Sequence, residues 1–266
     1  MYTVKCFFVL MRADLKSRMI YKLSPFLYIF GLILLYISAF LGNYIMLTKF
    51  KNIDGWEYGQ IIFIYVFCLV SYGVRSIFFN HFTNLGGMIL DGSLDNILIK
   101  PMNSFVYLVG SHFEIGGFSH IIAGGIIFFK FNHLFGVTWN VKNIIFYIIA
   151  IICASLVQSS ITVIIGSCAF FVEQNEGLRR LYEGFRQFIY YPVTLYNKYI
   201  QVVLFCILPL AFATFIPAAV FLNHPVYNIM SKTSWLLFLV GITGLLSVIA
   251  VGVFNFGLSH YKSSGT

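Results

Sequence analysis

The sequence SPFLYIFGLILLYISAFLGNYIM, residues 24–46, contains no charged side chain. A helix of about 20 apolar residues is long enough to cross the hydrocarbon core of a membrane. A secretory signal has an apolar region of only about 7–15 residues followed by a small-residue cleavage site. This run continues to Thr48 with no clear site of that kind. We therefore predict a retained membrane-spanning helix.

The composition of the whole chain also indicates that lipid surrounds most of it. Of its 266 residues, 59% are hydrophobic and 10% are charged, and the mean hydropathy is +0.87. A soluble domain is about one quarter charged, so this chain must present most of its exterior to lipid. We predict an all-α membrane protein with a single domain over residues 1–266. The five scattered cysteines form no CxxC pair, which indicates neither a zinc site nor a disulfide framework.

Five further apolar stretches have the length of a membrane-spanning helix. They are Trp56–Phe79, Ile115–Phe135, Asn143–Ala169, Tyr199–Phe215 and Ser234–Leu258. We predict a short interfacial helix at Phe105–Phe113, just before the third stretch. Arg75 lies near one end of the second stretch, where its side chain is predicted to reach the interface.

The uncharged run between Lys198 and Ser231 is too long for one perpendicular helix and too short for two helices with a turn. We therefore predict a re-entrant outer segment, residues 216–233, between the fifth and sixth helices. Irregular backbone is tolerated at membrane depth where protein or a cavity surrounds it. The sequence thus predicts six transmembrane helices.

Lysine and arginine residues determine the predicted orientation, because they accumulate in cytoplasmic loops. With both termini inside, twelve lie on the cytoplasmic side: Lys5, Arg12, Lys16, Arg18, Lys22, Arg75, Lys100, Arg179, Arg180, Arg186, Lys198 and Lys262. The outer side holds five: Lys49, Lys51, Lys130, Lys142 and Lys232. This placement accounts for the net charge of +8 better than a nucleic-acid partner, which we do not expect.

Residues 1–22 have the pattern of a basic amphipathic helix. Apolar side chains recur at helical spacing at Val4, Phe8, Met11, Leu15 and Met19, and basic side chains occupy another face at Lys5, Arg12 and Lys16. Such a helix lies in the inner membrane interface. It would serve either as a topology anchor or as a lever that senses a cytoplasmic partner.

The sequence contains no signature of catalysis. It has no GxxxxGK[ST] phosphate loop, no GxSxG nucleophile elbow and no cluster with metal-ligand spacing. His112 and Glu114 are two positions apart and would point in different directions on a helix. Only Glu114 among the carboxylates could fall within a predicted span, whereas a proton-coupled carrier needs more buried charges. We predict no enzymatic activity, no catalytic or metal-binding residue and no cofactor in this chain.

Three groups of residues resemble one known family. The segment ILDGSLDNILIKPMN, residues 89–103, is similar to the pattern I-x-x-G-x-L-D-x-x-L-x-[RK]-P-x-N of ATP-binding-cassette type-2 permeases. Gly55-Trp56, ahead of the second span, matches the same group. The sequence YPVTLY, residues 191–196, followed by Pro209 and Ile216–Ala219, is the third match.

The resemblance implies the membrane subunit of a bacterial exporter in the cell membrane. It implies a separate cytoplasmic ATP-binding-cassette ATPase, which would hold the ATP and magnesium, and a second permease, homologous or identical. It also implies that residues 81–104, between the second and third helices, form a cytoplasmic coupling segment that docks on the ATPase. The predicted coupling residues are Asp91, Gly92, Leu94, Asp95, Leu98, Lys100 and Pro101.

The residue types in 81–104 favour a short, rigid helix that projects from the membrane domain. Gly92 allows a tight entry into a short helix, Asp95 favours its first turn through the helix dipole, and Pro101 stops it. An apolar ridge is predicted to project from this helix at Leu94, Ile97 and Leu98. The alternative is an ordinary loop whose apolar residues rest on the membrane.

A second charged stretch, residues 173–186, is predicted to lie in water or among the lipid head groups. Glu176 and Arg180, and Glu183 with Arg179 or Arg186, have the spacing of helical ion pairs. The stretch is either a solvated helix or a second contact with the ATPase or the inner gate. Its candidate residues are Glu173, Glu176, Arg179, Arg180, Glu183 and Arg186.

The leading functional prediction is an exporter permease for an unidentified substrate, for which an amphipathic molecule, a drug, a peptide and a lipid-like molecule are the candidates. The sequence names no substrate-binding residue. A self-energised secondary carrier is one alternative, and it predicts buried charges and an inverted repeat. The other alternative is a non-transport membrane protein, such as a scaffold or an immunity subunit.

Overall fold

The computed structural model describes residues 2–18, 20, 23–48, 52–172, 175–224 and 231–261. The first α-helices are α1 Tyr2–Arg18, α2 Leu23–Thr48, α3 Tyr58–Phe79, α4 Leu85–Leu90, α5 Ser93–Leu98, α6 Ser104–Ser111 and α7 Gly116–Phe131. The others are α8 Val141–Ser167, α9 Glu176–Gln187, α10 Lys198–Val202, α11 Leu210–Ala213, α12 Phe215–Phe221 and α13 Lys232–His260. Strands β1 Asn52–Ile53 and β2 Trp56–Glu57 form one antiparallel hairpin.

Shorter helical turns connect these elements. Five are 3-10 turns, at Asn80–Asn84, Asn132–Leu134, Cys168–Phe170, Phe188–Tyr190 and Val193–Leu195, and a π-helical turn at Val203–Ile207 continues α10.

Four helices in the described ranges are long and apolar enough to cross a membrane. They begin at Leu23, Tyr58, Val141 and Lys232, and they confirm the predicted helices one, two, four and six as candidate spans. Two bent pairs raise the number to as many as six: α6 with α7, at 60°, and α10 with α11–α12, at 73°. The chain is therefore a helical, multi-pass membrane protein.

Helix α3 lies at the centre of the bundle, between α7 and α8. Glycines allow α3 and α7 to approach closely, as is common between membrane helices. A Cβ atom on Gly117 would lie 2.8 Å from the Gly73 carbonyl oxygen and 2.6 Å from Ile77 Cγ1. By contrast, most side chains of α2 and α13 face away from the described bundle.

The region from α10 to α12 folds back on itself. The chain bends by 73° near Pro209, because proline lacks the N–H that a continuous helix needs. The residues before and after the fold-back meet Trp56 in β2, just before α3. Trp56 Nε1 donates to Thr194 Oγ1 at 3.1 Å, and the Trp56 ring stacks on His224 with 3.8 Å between the ring centroids. The stretch predicted as the fifth span, Tyr199–Phe215, is therefore not one continuous helix, and its crossing of the membrane stays a prediction. Of the predicted re-entrant segment, residues 225–230 lie outside the described residues.

Residues 182–196 run antiparallel to α3 over most of its length. Arg186 lies 3.8 Å above the Tyr72 ring, and the Cys68 thiol donates to the Ile189 carbonyl at 3.1 Å. Tyr190 then packs 5.1 Å from Tyr65, followed by the contact between Thr194 and Trp56. At the end of the charged stretch the Arg186 side chain therefore packs against α3, and the position of the stretch in water or among the head groups stays a prediction.

Helix α1 packs against α6. Phe7 lies over Gly110, where an added Cβ would be 2.7 Å from the ring, and Asp14 accepts a hydrogen bond from the Phe113 backbone N–H at 3.0 Å. Phe8, predicted on the apolar face, is 56% exposed in this chain. The helix is confirmed, and its interfacial position stays a prediction. Met1, Met19, Tyr21 and Lys22, and the side chain of Val4, lie outside the described part of the chain.

Candidate coupling site

The coupling segment, residues 81–104, is a compact series of short helices. Gly92 has a φ of +72°, a left-handed conformation that glycine adopts without strain, and this turn separates α4 from α5. Asp91 Oδ1 accepts a hydrogen bond from the Ser93 N–H at 2.9 Å, and the hydrogen bonds from Ser93 lower the pKa of Asp91. Asn103 then caps α6 by accepting from the Val106 N–H at 3.2 Å. The predicted tight entry at Gly92 is confirmed.

The apolar residues of α5 point inwards. Leu94 is fully buried and Ile97 is 6% exposed, and both belong to a core cluster with Phe82 and Phe254. The prediction that Leu94 and Ile97 project as a ridge is therefore wrong. Tertiary burial of this face stabilises the short helix, which would be marginal by itself.

Two other apolar side chains project from the segment. Leu90, at the end of α4, is 61% exposed, and Ile99, after α5, is 77% exposed. Asp91, Lys100 and Pro101 are exposed beside them. We call these five residues the coupling surface. Sequence reasoning identified Asp91, Lys100 and Pro101 and missed Leu90 and Ile99, which occupy variable positions within the motif.

Of the remaining predicted coupling residues, Gly92, Asp95 and Leu98 are half-buried. Burial and the neighbouring Asp95 carboxylate raise the pKa of Tyr261, the residue that follows α13. The motif therefore contributes partly to the exposed surface and partly to internal packing.

The coupling segment is joined rigidly to two long helices. The Phe82 carbonyl packs directly on Gly166 of α8, where a Cβ atom would overlap it. The Phe82 ring packs 5.8 Å from Phe254 of α13, and Phe105 packs 5.5 Å from the same ring. A force applied to the coupling surface would therefore reach α8 and α13 through close-packed side chains.

The second charged stretch forms the predicted ion pairs. Glu176 accepts from Arg179 at 2.6 Å and from Arg180 at 3.1 Å, and these bonds lower the pKa of Glu176 to about 2. Glu183 pairs with Arg186 at 2.8 Å. The pairing of Glu183 with Arg179 does not occur among the described ion pairs, and Glu173 lies outside the described residues.

The two ends of α9 have different surroundings. Glu176 and Arg180 are exposed, whereas Tyr182 is 3% exposed and the Arg186 side chain is 13% exposed. Arg186 Nη1 also donates to Tyr190 Oη at 2.8 Å. The first turns of α9 are accessible to a partner, and the last turn is part of the bundle.

A buried polar network joins α3 to α8, and sequence reasoning missed it. Arg75 is 1% exposed, and its Nε and Nη2 donate to Thr162 Oγ1 at 3.0 and 2.8 Å. Arg75 Nη1 donates to Asn80 at the start of the coupling segment, at 3.2 Å. The prediction that Arg75 reaches the interface is therefore wrong. The signal was the polar series Ser155, Gln158 and Thr162 within an apolar run, which falls on one helix face.

His112 and Glu114 line one cavity, of about 440 Å³, together with His81 and Asn80. The expectation that they point in different directions assumed a continuous helix, but α6 ends at Ser111 and the chain bends by 60° before α7. The His81 and His112 rings lie 4.0 Å apart. No group of three His, Cys, Asp or Glu side chains in the described ranges is arranged to hold a metal ion.

Together the long apolar helices and the compact motif segment define a multi-pass membrane transport component. The sequence profile described as "ABC-2 family transporter protein" matches residues 33–265. The chain therefore belongs to the ABC-2 transporter family. No curated protein and no solved structure matches it.

Proposed function

We propose that this chain is the transmembrane permease subunit of an ATP-binding-cassette type-2 exporter in a bacterial cell membrane. A separate ATPase would supply energy from ATP and magnesium, and a second permease, related or identical, would complete the path. The family match over residues 33–265 carries this proposal. The substrate would be amphipathic, in keeping with a chain that contains 30 phenylalanines and 17 tyrosines.

The coupling surface is proposed to dock on the ATPase. The exposed side chains of Leu90 and Ile99 would enter an apolar cleft of the ATPase. Asp91 and Lys100 would form polar contacts at the rim of that cleft. Closure of the ATPases would push the surface, and the contacts of Phe82 with Gly166 and Phe254 would pass that motion to α8 and α13. The exposed first turns of α9 are proposed as the second contact.

We propose six crossings: α2, α3, α7, α8, residues 182–196 and α13. In this arrangement α10 to α12 form the re-entrant segment, and both termini face the cytoplasm. Nine basic residues then lie inside: Lys5, Arg12, Lys16, Arg18, Lys22, Lys100, Arg179, Arg180 and Lys262. Six lie outside: Lys49, Lys51, Lys130, Lys142, Lys198 and Lys232. The inner side remains the more positive one, which supports the orientation.

Docking can be tested with the double variant Leu90→Asp/Ile99→Asp. Both side chains are exposed, so we expect the permease to insert and fold, with a change in stability within about 0.5 kcal/mol. Binding to the partner ATPase should fall at least about tenfold, since two apolar contacts would be replaced by charges. Co-purification from the native membrane and substrate-stimulated ATPase activity measure this loss.

Asn96→Asp is the control for added negative charge, because Asn96 is exposed on α5 and gains one carboxylate without loss of apolar surface. Asn96→Asp should retain ATPase binding. Unchanged binding by the double variant would contradict docking at the coupling surface. Transport that continues without any ATPase would instead support a self-energised carrier.

A further inference from the structure

An open cavity of about 680 Å³ lies between the first turns of α8 and α13, at the end of the bundle opposite the coupling segment. Its polar part is lined by Asn140, Lys142, Asn143, Lys232 and Thr233. None of the contacts described for the coupling site reaches this region. We call it the lysine cavity.

The lysine cavity has an excess of positive charge. Within the described residues, no carboxylate lies within 4 Å of the Lys142 or Lys232 ammonium group. Lys232 Nζ donates only to a neutral acceptor, the Phe221 carbonyl, at 3.2 Å. Both lysines also occupy the first turn of a long helix, where the helix dipole disfavours a cation. An anion between them would relieve both unfavourable interactions.

The polar groups at the rim can also donate hydrogen bonds to such an anion. Asn140 Oδ1 caps α8 by accepting from the Asn143 N–H at 2.8 Å, which leaves the Asn140 amide N–H groups available. The first turns of α8 and α13 add backbone N–H groups that have no partner within a helix. This combination of ammonium, amide and N–H donors is typical of phosphate recognition.

The rest of the cavity is apolar. Ile145, Phe146, Ile149 and Leu236 form its wall, on the sides of α8 and α13 that lead towards the membrane centre. The donors and the apolar wall are therefore arranged in the order of a lipid head group and its acyl chains.

We propose that the lysine cavity binds an anionic phospholipid from the membrane leaflet at this end of the bundle. The lipid phosphate bridges Lys142 and Lys232, and one acyl chain follows the apolar wall between α8 and α13. The lipid would thereby hold together two helices that both pack on the coupling segment at their other ends. This binding requires neither ATP nor a partner chain, so it stands independently of the export function.

The test is native mass spectrometry of the purified full-length permease with dioleoyl phosphatidylglycerol or dioleoyl phosphatidylcholine. The two lipids share their acyl chains and differ in head-group charge. The wild-type protein should bind phosphatidylglycerol about 25-fold more tightly, because the contributions of two lysines, each about fivefold, multiply. In Lys142→Gln/Lys232→Gln this preference should fall below about twofold.

Two further variants control for folding and for overall charge. Lys142→Arg/Lys232→Arg keeps both charges and should keep the preference. Lys130→Gln removes a charge from an exposed lysine at the same end of the bundle, outside the cavity, and should also behave as the wild type. An equal preference in the wild type and the double glutamine variant would overturn the proposal.

Glycerol 1-phosphate distinguishes a lipid from a free phosphate. At equal concentration it should displace less than about one tenth of the bound phosphatidylglycerol, because it lacks the acyl chains that the apolar wall accommodates. Displacement as effective as that by unlabelled phosphatidylglycerol would overturn the lipid assignment. That result would show that the phosphate group alone accounts for binding in the lysine cavity.

Discussion

Arg75 illustrates at the scale of one residue how a charge is held inside an apolar bundle. Its guanidinium has hydroxyl and amide acceptors, Thr162 and Asn80, and lies 5.1 Å from the Tyr72 ring. Among the described carboxylates none lies within 4 Å of it. Burial of a charge without a counter-charge is costly, so retention of arginine here indicates a purpose other than stability.

This leads to a prediction for two substitutions of Arg75. Arg75→Met keeps the volume and removes the buried charge, so the free energy of unfolding should change by less than about 1.5 kcal/mol. Arg75→Ala leaves a cavity and should cost about 3 kcal/mol. Thr162 keeps its own hydrogen bond to the Gln158 carbonyl, at 2.8 Å, in both variants.

Thermal unfolding of the detergent-solubilised protein measures both effects, and transport by the Met variant separates stability from function. We expect Arg75→Met to fold and to lose most of its transport activity. Full transport by a stable Arg75→Met protein would show that the guanidinium has no functional role.

At the scale of elements, α9 divides into an exposed first half and a buried second half. Ion pairs of Glu176 with Arg179 and Arg180 link the exposed turns of α9. Water screens these surface ion pairs, so each contributes little to stability. Glu183 and Arg186 belong to the part that packs along α3. The same helix thus provides an accessible surface and an ion pair that is largely covered by the bundle.

The depressed pKa of Glu176 predicts how the start of α9 responds to acid. A carboxylate whose pKa is lower in the folded chain stabilises it above the ordinary value of about 4.5 and ceases to do so as the pH falls through about 2. Hydrogen exchange in the first turn of α9 should therefore be protected equally at pH 7 and pH 5 and lose protection between pH 4.5 and pH 2. Glu176→Gln should remove this dependence, and an unchanged profile in that variant would contradict the assignment.

At the scale of the whole molecule, the course of residues 182–196 decides the topology. The buried contacts from Arg186 to Thr194 follow α3 from Tyr72 to Trp56, which supports a crossing here rather than at Tyr199–Phe215. Leu178 and Tyr199 then lie on opposite sides of the membrane. If the crossing were at Tyr199–Phe215, both residues would lie on the same side.

Single cysteines in a variant without the five native cysteines test this arrangement. Leu178, Asn96 and Tyr199 are exposed, so each cysteine should be accessible to a maleimide. A membrane-impermeant maleimide should label Tyr199→Cys in intact cells, and Leu178→Cys and Asn96→Cys only in inverted vesicles. Labelling of Leu178→Cys and Tyr199→Cys from one side would contradict the crossing at 182–196.

The sequence by itself determined that lipid surrounds most of this protein, and it determined most of the candidate membrane-spanning helices. Transfer of an apolar run into lipid depends on local composition alone, so the helices from Leu23, Tyr58, Val141 and Lys232 were predictable. Local chemistry also predicted the left-handed turn at Gly92, because only the backbone conformation of one residue is involved.

Only the tertiary structure decided which side chains are buried and which are presented to a partner. Leu94 is buried in a cluster that includes Phe254, 160 positions later, and Arg75 is held by Thr162 on another helix. Lys142 and Lys232 come together only because α8 and α13 pack side by side. A sequence pattern specifies the faces of each helix, and the packing of distant helices decides what each face meets.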